Sequence, residues 1–319
     1  MSTGGISVLP EEGSGGPARI AVVIVTYNSA GVLGECLDSI AAGAEGVHLV
    51  SVIVADNASK DDSVRVAESR TALPVRVVQV GRNAGYSAAI NAAVATIGDG
   101  ECDAVYVINP DCRLRPGSLA PLVAALRRPG RGIAVPLIVN PDGTLQHSLR
   151  RMPTVGRAWA EALIGGNAAG RLGRLGELIT DARLYEAPGA AVWATGAAML
   201  ISAVALAEVG PWDESFLLYS EETEYALRAA DHGYALWFEP ASVVEHIGGE
   251  SGVNPTLAAL LMVNKVKLFR RRRGPVAGAA YYLAMVLGTA VRAAAGRVTA
   301  KASLQALLMP SRRMKDLPQ

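Results

Sequence analysis

The heptapeptide Val105-Tyr106-Val107-Ile108-Asn109-Pro110-Asp111 carries the strongest fold signal in the chain. Val105 to Ile108 are apolar without polar alternation, as in a short parallel strand covered on both faces. Asn109-Pro110 ends the strand, because proline has no N–H for the ladder and restricts the residue before it. Asp111 is thereby presented at the carboxyl end of a central strand, where open α/β sheets bind their ligands. A carboxylate placed there can hold a divalent cation.

The same pattern recurs upstream. Ile20 to Val25, Leu49 to Ala55 and Val75 to Val80 are apolar runs, and each is followed by a helical stretch. Val32, Leu33, Cys36, Leu37 and Ile40 follow the first run at helical spacing, Ser59 to Ser69 follow the second, and Ser87 to Ile97 the third. A further helix is expected from about Gly117 to Leu126, with Pro116 near its first position. Such alternation predicts right-handed crossovers and a parallel sheet. Every strand ends in polar residues: Thr26, Tyr27 and Asn28, then Asp56 and Asn57, then Arg82, Asn83 and Gly85, then Asn109 and Asp111. One such loop is ordinary turn chemistry, but four successive ends on one sheet edge describe a nucleotide pocket. No GxGxxG follows the first strand and no GxxxxGK[ST] occurs, which argues against a dinucleotide oxidoreductase and a P-loop. Base, ribose and diphosphate would be held by strand-end side chains, with a metal on the phosphates.

Half the residues are hydrophobic, 18% are charged and the net charge is +1, so bulk electrostatics give no sign of nucleic-acid binding. Cys36, Cys102 and Cys112 form neither CxxC nor an even set, which points to a reduced cytoplasm. Residues 1–18, rich in glycine, serine and proline without an apolar h-region, are expected to be a disordered leader.

The middle of the chain is less regular. Ala134 to Val139 and Thr144 to Leu149 resemble two short strands joined by a turn at Pro141-Asp142-Gly143. Arg150 to Arg174 is expected to be a mobile insertion. A second dense stretch begins at Trp193-Ala194-Thr195-Gly196, passes through the turn-rich Val209 to Phe216 and reaches Ser220-Glu221-Glu222-Thr223-Glu224. Ser220 suits an N-cap, and acids in a first helical turn complement the dipole at about 0.3–1 kcal/mol each. Glu221 and Glu222, however, project about 100° apart on an ideal helix, so one can brace while the other faces a pocket as a general base. His246 follows an apolar strand and precedes Gly248-Gly249, a setting for a metal ligand or a phosphate contact.

These pieces, in this order, resemble the family 2 glycosyltransferases with a GT-A fold, in particular the rhamnosyltransferase-like branch. The fragments are VVIVTYNS from Val22, ADNAS from Ala55, GRNAGYSAAIN from Gly81, INPD from Ile108, WATGAAML from Trp193, VGPWDESF from Val209, YSEETEYALR from Tyr219 and VVEHIGG from Val243. The resemblance implies a Rossmann-like mixed sheet flanked by helices and inverting, metal-dependent transfer from a nucleoside-diphosphate sugar. The best reading is L-rhamnose from dTDP-rhamnose, passed to a cell-envelope, polysaccharide or lipid-linked glycan. It implies that Thr26, Tyr27 and Asn28 line the base and ribose pocket and that Asp56 meets the pyrimidine, with Asn57 nearby. Arg82, Asn83 and Gly85 would sit by the diphosphate. Asp111 matches the last acid of the metal-binding DxD, written here Asn109-Pro110-Asp111, and His246 the position completing the shell around Mg2+ or Mn2+. Glu222 matches the general base, in a pair written here Glu221-Glu222. Trp193, Thr195 and Gly196 would shape the acceptor side, and Asp213 and Glu214 would lie beside the donor sugar or support their loop. A UDP-hexose transferase, a sugar nucleotidyltransferase and a non-catalytic scaffold are the alternatives.

The catalytic domain is expected over residues 19–264 and a basic, apolar helical extension over 265–319. Lys265 to Arg273 is a cationic cluster, and Val276 to Val291 is apolar but short of the roughly 20 residues that cross a bilayer. The extension suits peripheral contact with an anionic membrane, at the inner face of the plasma membrane. Packing on the catalytic domain or on a second copy of the chain is the other reading.

Overall fold

The computed structural model describes residues 16–248 and 254–318. Strands β1 (Arg19–Thr26), β2 (His48–Asp56), β3 (Val75–Gln79) and β4 (Ala104–Ile108) are parallel, and α1 (Ala30–Gly43), α2 (Ser63–Glu68) and α3 (Tyr86–Val94) connect them. The absence of alternation has its expected cause. On β1, Ile20, Val22 and Ile24 pack with Leu33, Leu37 and Ile40 of α1, while Ala21, Val23 and Val25 pack with Ala89, Ile90 and Ala93 of α3.

Beyond β4 the connections change character. The chain continues through β5 (Cys112–Leu114), α4 (Leu119–Leu126), β6 (Arg131–Val139), β7 (Leu149–Arg150), α5 (Val155–Ile164) and α6 (Gly166–Arg171). It then forms β8 (Gly189–Ala191), β9 (Trp193–Ala194), β10 (Ala198–Ser202), α7 (Ala203–Val209), α8 (Glu221–Asp231) and β11 (Ala235–His246). The nine-stranded mixed sheet has the order β3-β2-β1-β4-β10-β6-β11-β5, with β8 also paired to β11. β10 lies antiparallel between β4 and β6, and β11 is antiparallel to β5. That last pairing sets His246 opposite Cys112, next in sequence to Asp111.

Two expectations are corrected here. Thr144 to Leu149 is not a strand: Leu145 makes a single bridge to Val139, and Leu149-Arg150 pairs with Trp193-Ala194 in a separate ribbon. The stretch from Arg150 to Arg174 is not a loose insertion but contains α5 and α6. Thr154 caps α5 by accepting the Arg157 N–H at 3.2 Å, and Ala162 lies so close to Gly288 that a Cβ there would sit 2.8 Å from the Ala162 Cα. Small residues in this stretch serve close helix packing.

The C-terminal part is α9 (Pro255–Ala294) and α10 (Val298–Leu308). α9 starts at Asn254, whose side chain accepts the N–H groups of Thr256 and Leu257, and it runs through residue 264 without a break. By length and composition α9 would pass for a membrane span, but it breaks at Gly274, where φ is +76°. The rings of Phe269 and Tyr281 stack with centroids 4.0 Å apart, whereas twelve residues of continuous helix would separate them by about 18 Å. The two halves therefore fold back as a hairpin, with Leu307 of α10 in the same cluster. Residues 1–15 of the expected leader lie outside the described residues. Replacing Tyr281 by Ala should lower unfolding stability by about 3 kcal/mol, read as a drop in the denaturant midpoint; an unchanged midpoint would refute the hairpin packing.

Candidate active site

The four parallel strand ends meet at one edge. Thr26 Oγ1 donates to Asp56 Oδ1 at 3.0 Å and the Ser59 N–H donates to Asp56 Oδ2 at 3.0 Å, so Asp56 ties the first two loops together. Asn28 adopts φ +51°, accepts the Lys60 N–H on Oδ1 at 2.8 Å and donates its own N–H to Ser59 Oγ at 2.8 Å. Asn57 Nδ2 donates to the Gly85 carbonyl at 3.2 Å. Tyr27 is half-buried and Arg82 exposed. Asn83 Nδ2 donates to the carbonyl of Pro318 at 2.8 Å, which brings the last residues of the described chain onto this loop. Gly85 has φ +96°, and a Cβ there would fall 2.2 Å from the Leu217 carbonyl oxygen, so only glycine fits.

The Asn109-Pro110-Asp111-Cys112 turn is closed by the Cys112 N–H donating to the Asn109 carbonyl at 3.2 Å, with proline at its favoured second position. Asp111 Oδ2 accepts the Gly248 N–H at 3.0 Å, and its Oδ1 lies 3.4 Å from His246 Nε2. Burial pushes the Asp111 carboxyl up, but the hydrogen bond and charge of His246 and the Gly248 N–H outweigh it, so the net shift is downward. His246 Nδ1 pairs with Gln146 Oε1 at 2.7 Å. A carbonyl oxygen only accepts, so Nδ1 keeps a proton; a proton on Nε2 bonds Asp111, and once that proton leaves, the Nε2 lone pair faces Asp111 and is open to a cation. An imidazole nitrogen and a carboxylate oxygen on one small space fit a divalent cation. Cys112 is adjacent, but burial and the Asp111 charge push its thiol well up, and its Sγ donates to the Ala197 carbonyl at 3.2 Å. It suits Mg2+ or Mn2+ poorly.

Helix α8 is entered through Tyr219 and Ser220, at φ +69° and +74°. Ser220 holds the cap position, as expected, but its side chain makes no capping bond. Asn264 instead donates to the carbonyls of Leu218 and Tyr219 at 2.9 and 3.1 Å, holding a turn whose left-handed residues each cost about 1–3 kcal/mol. The turn separates the three acids. Glu224 is engaged by Arg228 at 2.9 Å through both oxygens. Glu221 is buried, its Oε2 has no partner among the described residues, and burial followed by the Glu222 charge pushes its carboxyl well above the ordinary range. Glu222 lines a cavity of about 270 Å³ with Trp193, Leu261, Lys265 and Phe269. Burial raises its carboxyl too, while the Arg150 guanidinium pulls it back down. Both carboxyls are pushed up, Glu221 the further, because Arg150 and backbone N–H groups offset part of the burial at Glu222.

The β7–β9 ribbon supplies the facing wall. Trp193 Nε1 donates to the Arg151 carbonyl at 3.1 Å, the Thr195 N–H donates to the Ser148 carbonyl at 3.0 Å, and Arg150 sits 5.8 Å from the Trp193 ring centre. A Cβ on Gly196 would lie 3.2 Å from the Glu222 Cβ, so glycine admits that side chain. Asp213 pairs with Arg271 at 2.8 Å and Glu214 accepts from Asn91 Nδ2 at 2.9 Å, so both acids support their loop. Tyr86 joins the two ends of the site: its hydroxyl lies 3.0 Å from Asn109 Oδ1 and 3.2 Å from the Gly196 carbonyl. Tyr86, Gln146, Arg150 and Asn264 were not singled out from sequence. Only Tyr86 gave a signal, as part of GRNAGYSAAIN.

A model of the glycosyl transferase family 2 matches residues 21–179. The N-acetylglucosaminyl-diphospho-decaprenol L-rhamnosyltransferase of Mycobacterium tuberculosis (strain ATCC 25618 / H37Rv) is 32% identical over 253 residues, covering 74% of this chain and 78% of that protein. Among solved structures, the mannosyltransferase PcManGT from Pyrobaculum calidifontis, in complex with GDP-Man and Mn2+, aligns at TM-score 0.55 and 18% identity. That alignment covers 93% of this chain and 81% of the other. Residues 1–349 of S. aureus TarS, in complex with UDP-GlcNAc, align at TM-score 0.55 and 14% identity over 91% of this chain and 79% of that one. The chain belongs to the family 2 glycosyltransferases, in their rhamnosyltransferase-like branch, and has the GT-A fold. Replacing Gln146 by Leu should weaken Mn2+ binding about 10- to 100-fold in a titration, whereas unchanged affinity would remove His246 from the metal site.

Proposed function

We propose that the protein transfers L-rhamnose from dTDP-rhamnose, with inversion, to a lipid-linked glycan at the inner face of the plasma membrane. The observation that carries this reading is the two-ended site: an Asp111–His246 pair at one end, the Glu222 carboxyl in a cavity at the other, and Tyr86 between them. The choice of sugar and acceptor is supported by the mycobacterial relative. Thr26, Tyr27, Asn28, Asp56, Asn57, Arg82, Asn83 and Gly85 would hold the nucleotide across the strand ends. Asp111 and His246 would hold Mg2+ or Mn2+, which when bound neutralises charge on the leaving diphosphate. Trp193, Thr195 and Gly196 would position the acceptor against Glu222. Glu222 then takes the acceptor hydroxyl proton as that oxygen attacks the anomeric carbon from the face opposite the diphosphate. Burial pushes the neighbouring Glu221 toward its neutral form, which favours a single charge at Glu222.

Thermal melts with dTDP, UDP and GDP, each with and without Mn2+, test the donor assignment. Ligand at about 100 times its Kd adds about 2.7 kcal/mol of stability. A metal-dependent rise favouring dTDP is expected, and a preference for GDP would overturn the assignment. The base assignment has its own test in transfer assays. Glu222→Gln should cut kcat by at least about a hundredfold with donor binding intact, while Glu221→Gln, replacing the carboxyl that burial pushes further toward its neutral form, should leave most activity. Because Arg150 favours the Glu222 carboxylate, Arg150→Gln should move the acid limb of kcat/KM to higher pH. A reversed ranking of the two glutamates would make Glu221 the base.

A further inference from the structure

From Asn254 to Lys315 the chain carries twelve Lys and Arg and no Asp or Glu. Since the whole chain is +1, removing those twelve cations leaves a remainder of −11. This division of charge has a focus. A cavity of about 1000 Å³ lies between the first half of α9, α10 and the residues after it, lined by Lys267, Arg270, Arg271, Arg312, Arg313 and Lys315. It uses the α9 face that carries Leu260 and Val263, not the Leu261 and Lys265 face that borders the Glu222 cavity.

The cations are not equally occupied. Arg271 pairs with Asp213 at 2.8 Å, Lys267 Nζ donates to the Ser215 carbonyl at 2.5 Å, and Arg313 donates to the carbonyls of Ala306 and Leu307. Glu214, the one acid among the described residues of the lining, already accepts from Asn91. Arg270, Arg312 and Lys315 are exposed, and their side chains have no hydrogen-bond or ion-pair partner among the described residues. Three unmatched positive charges over a floor of Leu260, Val263 and Leu307 ask for an anion with an apolar body. At the rim Leu308 is 53% exposed, and Met309 beside it 50%. Exposed aliphatic side chains next to unpaired cations are what a protein offers to an anionic bilayer, and the charge division would turn this end of the molecule toward one.

We propose that this cavity seats the phosphate headgroup of an anionic membrane lipid. The site is separate from the donor and acceptor positions and does not depend on the glycosyl-transfer reading.

The test is sedimentation of the full chain with phosphatidylcholine vesicles, with and without phosphatidylglycerol. Binding is expected only with phosphatidylglycerol. The triple variant Arg270→Gln, Arg312→Gln, Lys315→Gln should weaken it roughly a hundredfold. A charge-matched triple outside the cavity, Arg171→Gln, Arg174→Gln, Arg297→Gln, should change it by less than about tenfold. Leu308→Glu, which sets an acid at the rim, should also release the protein. Equal losses in the two triples would mean diffuse attraction and overturn the seat. Stabilisation by inorganic pyrophosphate alone, without vesicle binding, would make the ligand a soluble anion and overturn the lipid assignment. Melting temperatures matching the parent chain confirm that the variants are folded.

Discussion

Tyr86 is the residue on which the geometry of the site depends. Its N–H donates to the Leu217 carbonyl at 3.0 Å, its ring meets Trp212 edge-on at 6.5 Å, and its hydroxyl reaches both Asn109 and the Gly196 carbonyl. Three separate parts of the chain are thereby tied to the first residue of α3: the end of β4, the turn before β10 and the loop before α8. Burial, reinforced by surrounding thiol and carboxyl groups, pushes the phenol well above its ordinary range, so it stays a donor. A buried hydroxyl left without partners costs about 1–3 kcal/mol, so the tie resists loosening. Gly85 makes the approach possible by having no Cβ where the Leu217 oxygen lies.

Several acids share this small region, and each is held differently. Asp111 is stabilised as a carboxylate by His246 and the Gly248 N–H. Glu221 is buried where its charge is unwelcome, and Glu222 lies within reach of the Arg150 charge. Two adjacent glutamates are thus pushed apart in behaviour by their surroundings, the usual way in which one acid and one base are made from the same side chain. Glu224, bound by Arg228, holds α8 to the Val209–Pro211 turn through the bonds of Arg228 to those carbonyls.

Local pattern made the parallel half legible. Uninterrupted apolar runs between polar ends require two covered faces, and β1, β2 and β4 have them. The position of Asp111 also followed from proline chemistry alone. Non-local pairings were not legible. Nothing in Ala198 to Ser202 announces an antiparallel strand between β4 and β6, and the Gly- and Arg-rich stretch after Arg150 looks like surface loop until α9 is seen to cover it. Gly274-Pro275 signals a break, but only the Phe269–Tyr281 stack shows that the chain reverses there. Gln146 and Asn264 were invisible for a related reason. Each acts on a backbone or ring brought to it by the fold, 100 residues away at His246 and 45 at Tyr219.

The claim that joins these observations is a single displacement, with the leaving diphosphate at the Asp111 end and one base, Glu222, at the other. The anomeric configuration of the transferred sugar, read by NMR on the product and compared with that of the donor, tests it most directly. The account predicts the opposite configuration. A product that keeps the donor's configuration would require an intermediate or a same-face attack and would contradict the account.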